Sequence, residues 1–266
     1  VTFTTALRRM KPIWPSVICA GCTKSSSATG RKPLYRRDQL VDRVLDIFVR
    51  ANDGGVKLSK ADLLMSMITS KWSSGKARED VFGFVNYINR DFGAPNKITK
   101  NWVLKSALVL CEYDVVYNVE NFTRQAIEAM EGNWTKIKVA IETTFRILNR
   151  MGLTGDNLGS LNAVLPIVYY VYSQPDCSFR GSSAFERRNA AAMYRWLLNS
   201  LFVGAFVGAS DGTIALARGV IWDHLRLNRD FPIEELFEAL ARGGRLSRLD
   251  ERAIEELLGE CPVFCV

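Results

Sequence analysis

The stretch NWTKIKVAIETTFRILNRMG, residues 133–152, constrains the fold of this chain more than any other. Its Trp134, Ile137, Ile141, Phe145 and Leu148 recur every three or four positions. That period gathers apolar side chains on one stripe of an α-helix, which is stable only when another element covers it. Gly152 follows where a left-handed C-terminal cap belongs. One amphipathic helix therefore calls for others.

The rest of the chain from Asp38 onward provides them. DQLVDRVLDIFVR places Leu40, Val44, Ile47 and Phe48 on one face. SKADLLMSMITSKW opens on Ser59 with Asp62 three residues later, a capping-box arrangement, and its Leu63, Met67 and Ile68 form the next stripe. Further helices are predicted over about 78–91, 99–113, 121–131, 159–173, 184–207, 211–227, 232–242 and 248–258. Pro232 suits a first helical turn, and Gly243 and Gly259 suit helix ends. Alternating strand patterns are nearly absent. The expected fold is mainly α, a multi-helix bundle with at most a short strand remnant near residues 55–58.

Two apolar runs, LNAVLPIVYYVY and LLNSLFVGAFVGA, fall well short of the roughly 20 residues that span a bilayer. The Gly204–Gly208 spacing is a helix-contact device in membranes. Here it is expected to let a buried helix approach its neighbour, with no membrane as a partner. The basic start is not followed by an apolar run and a cleavage site, so a cytoplasmic location with free thiols is expected.

The net charge of +7 resides at one end. Residues 1–43 hold Arg8, Arg9, Lys11, Lys24, Arg31, Lys32, Arg36, Arg37 and Arg43 against Asp38 and Asp42. The remaining residues carry 26 basic and 26 acidic side chains. Residues 1–37 thus read as an irregular basic arm, rich in Pro, Ser and Gly, attached to a neutral body. Such an arm is either a solvated tail or an electrostatic contact for nucleic acid.

Candidate chemistry is sparse. His224 is the only histidine, so no histidine-based metal centre is expected, and no Ser or Cys sits in a nucleophile motif. Neither a Walker loop nor GxGxxG occurs. Cys19 and Cys22 (CAGC) with Cys261 and Cys265 (CPVFC) offer four thiolates, but their spacing matches no zinc finger, and unrelated free thiols are expected instead of a metal. One stretch remains, IFVRANDGGVKLSKADLL. Arg50 and Asn52 stand two apart at a helix end. The guanidinium is a planar fork for phosphate, and the amide both donates and accepts. Gly54 and Gly55 allow the backbone to turn and approach a ligand closely. Asp53-Gly54 is equally an ordinary turn signal, so the residues alone leave connector and ligand wall both open.

This stretch resembles the Phe-x-Arg-x-Asn…Gly-x-x-Leu-Ser segment of the ParB/sulfiredoxin-like family that includes the GmrSD modification-dependent restriction enzymes and related phage-defence proteins. The matching positions are Phe48, Arg50, Asn52, Gly55, Leu58, Ser59 and Asp62. The helical remainder is similar to the all-α region that follows the motif in many members. The resemblance implies the C-terminal edge of a ParB/sulfiredoxin-like domain over 38–75 and a helical domain over 76–260. It also implies that Arg50, Asn52 and Gly55 line a nucleotide or DNA phosphate site. The family's Asp-Gly-Gln-Gln-Arg segment does not occur, and the HNH-type nuclease domain is also missing. The expectation is the central portion of such a protein, not catalytic alone. It would bind nucleotide only with the missing N-terminal segment, and its partners would be DNA and a catalytic domain or subunit supplying the missing segments. Two further readings stay open: a non-catalytic helical protein–protein interaction module, and a DNA-binding protein using its basic arm.

Overall fold

The computed structural model describes residues 60–73, 75–117, 121–208 and 210–245, and of residues 60–63 the backbone alone. The helix expected over 38–50, the strand remnant near 55–58 and the helix expected over 248–258 lie outside the described residues. Within them the chain forms α1 (Lys60–Lys71), α2 (Ala77–Asn86), α3 (Lys100–Leu110), α4 (Arg124–Gly132), α5 (Trp134–Arg150), α6 (Leu165–Tyr172), α7 (Ala184–Phe202), α8 (Ser210–Leu225) and α9 (Ile233–Arg242). A π-helical turn, Tyr87–Asp91, prolongs α2, and a 3-10 turn, Leu161–Val164, leads into α6. No strand occurs among the described residues, and the fold is mainly α.

The stripe on α5 is buried as its period requires. Ile137, Ile141, Phe145 and Leu148 are each at most 1% exposed, and Trp134 is 6%. Burial of each such side chain stabilises by about 1.5–3 kcal/mol relative to exposure. Gly152 has φ of 77° and ends the helix: Leu153 N–H donates to Leu148 O at 3.0 Å, and Gly152 N–H to Asn149 O at 3.1 Å. These two bonds are the Schellman cap, which satisfies carbonyls that the last turn leaves open.

Helix α6 is the centre of the packing. Seven of its eight residues, Leu165 through Val171, are buried, so it has no solvent face. A helix apolar all round belongs in a core. α3, α5 and α8 surround it. On one flank α1 packs on α2 and α4, where Trp72 and Phe84 meet Trp134 edge to face. On the other flank α9 packs on α8 and α7. There Trp196 is fully buried among Phe206, Phe231 and Phe237.

The helix expected over 184–207 is corrected by this structure. It stops at Phe202, and Gly204 and Gly208 have φ of 61° and 74°. Ala205 N–H donates to Ser200 O at 3.0 Å, so Gly204 closes a second Schellman cap. The two glycines are turn positions and not a helix-contact pair. Around them Phe202 and Val207 are 60% and 71% exposed. No helix among the described residues is long and apolar enough to cross a membrane.

Candidate functional site

Three pieces of chain meet in a polar cleft of about 590 Å³: the loop before α3 with its first two turns, Tyr117, and the 155–162 segment. Local chemistry fixes each wall. Asn89, in the π-helical turn, donates from Nδ2 to Ile98 O at 2.9 Å and accepts from Ile98 N at 2.9 Å. Asn96 is buried and donates to Ile88 O and Ala94 O, both at 3.1 Å. The 94–98 loop is therefore held rigidly to the end of α2. Thr99 then caps α3, its hydroxyl accepting from Trp102 N at 3.2 Å.

The opposite wall approaches by backbone contact. Gly155 N–H donates to Pro95 O at 2.9 Å. A Cβ at Gly155 would lie 2.7 Å from Lys97 N and 2.8 Å from the Asn96 carbonyl carbon, so only glycine fits there. Trp102 Nε1 donates to Leu161 O at 2.9 Å and pins the 3-10 turn.

Deeper in the cleft two lining residues reach the first turn of α8. Asn162 Nδ2 donates to Ser210 Oγ at 2.8 Å, and Lys105, 8% exposed, pairs with Asp211. At the mouth Lys97 pairs with Asp156 at 2.8 Å, both side chains being mostly exposed. Such an exposed pair is easily exchanged for another anion. Asn101, Tyr117, Ser160 and Asn162 complete a wall of amide and hydroxyl groups. The lining side chains include no carboxylate, imidazole or thiol. The cleft can hold a polar ligand by hydrogen bonds, but its lining presents no acid–base pair.

A second built feature is Glu186, 5% exposed, on the first turn of α7. Its carboxylate accepts from Ser178 Oγ at 3.1 Å and from Phe179 N, Gly181 N, Ser182 N and Ser182 Oγ at 2.9 Å each. Burial alone would raise this carboxyl, but the hydrogen bonds, those of Ser182 foremost, outweigh it and hold it at about 2 against an ordinary 4.5. Asp230 follows the same pattern: burial is outweighed by Arg188 and Asn189, and the carboxyl is lowered.

Of the residues singled out in the sequence, Phe48, Arg50, Asn52, Gly55, Leu58 and Ser59 lie outside the described residues. So do Cys19, Cys22, Cys261 and Cys265. The backbone of Asp62 lies in the first turn of α1, which begins one residue after Ser59. Cys111 and Cys177 are half-buried free thiols. Burial and the neighbouring Glu112 charge, against Lys136, push Cys111 up to about 11, and burial likewise raises Cys177 despite Arg229, so both stay protonated near neutral pH. Among the described residues no group of three or more His, Cys, Asp or Glu is placed to hold a metal. His224 Nδ1 lies 3.2 Å from Glu235 Oε1, and Nε2 is buried without a hydrogen-bond partner. This ring links α8 to α9.

Sequence reasoning missed the cleft. Lys105 was its one local signal, a lone charge inside the apolar run WVLKSALVL. Its partner is 106 residues away. No protein-family model matches the chain, and no curated protein matches it.

Proposed function

We propose that this chain is the central portion of a GmrSD-like restriction or phage-defence protein. It contributes part of a nucleotide- or DNA-phosphate-binding site together with a helical scaffold. The observation that carries this reading is the segment FVRANDGGVKLSKAD, residues 48–62, whose Leu-Ser pair is followed at Lys60 by α1. The helical body that follows it also supports the reading. In this arrangement the Arg50 guanidinium and Asn52 amide converge on a phosphate, and Gly55 lets the backbone come close. The other wall of that site belongs to a segment carrying the catalytic groups, so the isolated chain binds but does not turn over.

Titration of the chain with fluorescent ATP and GTP analogues tests this. Weak binding that falls at least tenfold in both Arg50→Ala and Asn52→Ala, with no hydrolysis above background, is expected. Binding unchanged in both variants would favour a helical interaction module, in which Arg50 and Asn52 form only a connector.

A further inference from the structure

Six arginines gather around the loop before α7 and the 226–230 turn after α8. Arg150 donates to the carbonyls of Phe179 and Arg180, and Arg187 donates to Gly181 O at 2.9 Å. One residue further on, Arg188 lies against the Phe185 ring, as does Arg229 from the 226–230 turn, at 5.9 and 5.6 Å from its centroid. Arg226 lines the same shallow depression of about 570 Å³ as Arg188 and Arg229. All six are exposed.

What these guanidiniums bond to decides their net field. Arg150 and Arg187 hold backbone carbonyls, and Arg229 holds the Gln174 amide oxygen at 3.0 and 3.2 Å. Carbonyls orient a guanidinium without cancelling its charge. Arg188 alone pairs with a carboxylate, Asp230, at 2.7 Å. Arg180 and Arg226 have no hydrogen bond or ion pair from their side chains among the described residues. Nearby acids are few: Asp176 and Asp223 are exposed, while Glu186 is turned inward onto the 178–182 loop. A surface with this surplus attracts a polyanion, and arginine forks suit phosphate oxygens.

We infer that this arginine surface binds the phosphodiester backbone of nucleic acid. Trp222, 49% exposed and four residues before Arg226, favours nucleic acid over an acidic peptide, because an exposed indole can stack on a base. The surface is separate from Arg50 and Asn52, and the proposal does not rest on them.

The test measures binding of the full chain to a fluorescein-labelled duplex of about 20 base pairs across a KCl series. The variants are Arg180→Glu/Arg226→Glu and, for comparison, the arm variant Arg31→Ala/Lys32→Ala/Arg36→Ala/Arg37→Ala. For Arg180→Glu/Arg226→Glu we expect at least tenfold weaker binding and a salt slope shallower by about 2, roughly 0.9 for each phosphate no longer neutralised. Its helical circular dichroism should match wild type, since neither side chain holds the fold. Wild-type binding and slope in this variant, with loss only in the arm variant, would overturn the proposal. So would displacement of the duplex by polyglutamate as readily as by unlabelled DNA, the outcome for an acidic-peptide site. Nucleotide binding should be untouched by Arg180→Glu/Arg226→Glu, which separates this result from the Arg50 and Asn52 titration.

Discussion

Replacing Glu186 with Gln keeps its shape and removes its charge, and the structure gives the consequence a size. The carboxylate accepts five hydrogen bonds, three of them from backbone N–H groups, while only 5% exposed. A glutamine turns an NH2 toward groups that themselves donate, so one oxygen's partners are lost and at least one donor meets another. A carboxyl held at about 2 against an ordinary 4.5 stabilises the fold by roughly 3 kcal/mol unscreened, and about 2 once the exposed loop around it is allowed for. The folded-state value lies below the unfolded one. The contribution is therefore complete above about pH 4.5 and disappears as pH falls through about 2. Urea unfolding of wild type and Glu186→Gln at pH 7, 5 and 3 reads this directly. The variant should be about 2–4 kcal/mol less stable at pH 7, with the gap narrowing below pH 4.5. A gap under about 0.5 kcal/mol at pH 7, or one that widens in acid, would refute the reasoning.

Two further predictions concern the cleft. Asp211→Ala leaves Lys105, 8% exposed, without its counter-charge; the expected loss is about 2–4 kcal/mol by urea unfolding, and Lys105→Met in that background should recover part of it. Gly155→Ala pushes a methyl to within 2.7 Å of Lys97 N, so the two cleft walls must part; about 1–3 kcal/mol of stability should be lost, seen as a lowered midpoint in thermal unfolding.

Local rules made much of the helical layout readable. The period of α5, its Gly152 cap and the Thr99 cap of α3 are short-range events, so sequence spacing reports them directly. The end of α7 shows the limit of that logic. LLNSLFVGAFVGA is apolar enough to continue a helix, and the period cannot distinguish Gly204 as helix contact from Gly204 as a left-handed cap. The Schellman bond from Ala205 to Ser200 decides it. Glu186 was half legible: Ser183-x-x-Glu186 is a capping-box pattern, and Ser183 Oγ does accept from Glu186 N at 3.1 Å. Its reach back to residues 178–182 depends on how the loop folds. The cleft was not legible, because Gly155–Pro95, Trp102–Leu161 and Lys105–Asp211 join segments roughly 60 to 106 residues apart. Nothing in the spacing of such residues encodes their meeting.

The central claim concerns Arg50, Asn52 and Gly55, and photo-crosslinking of azido-labelled ATP or GTP to the full chain tests it most directly. The account predicts adducts within the tryptic peptides that cover residues 44–60, competed by unlabelled nucleotide and lost in Arg50→Ala. Adducts confined to other parts of the chain, or equal labelling in Arg50→Ala, would contradict it.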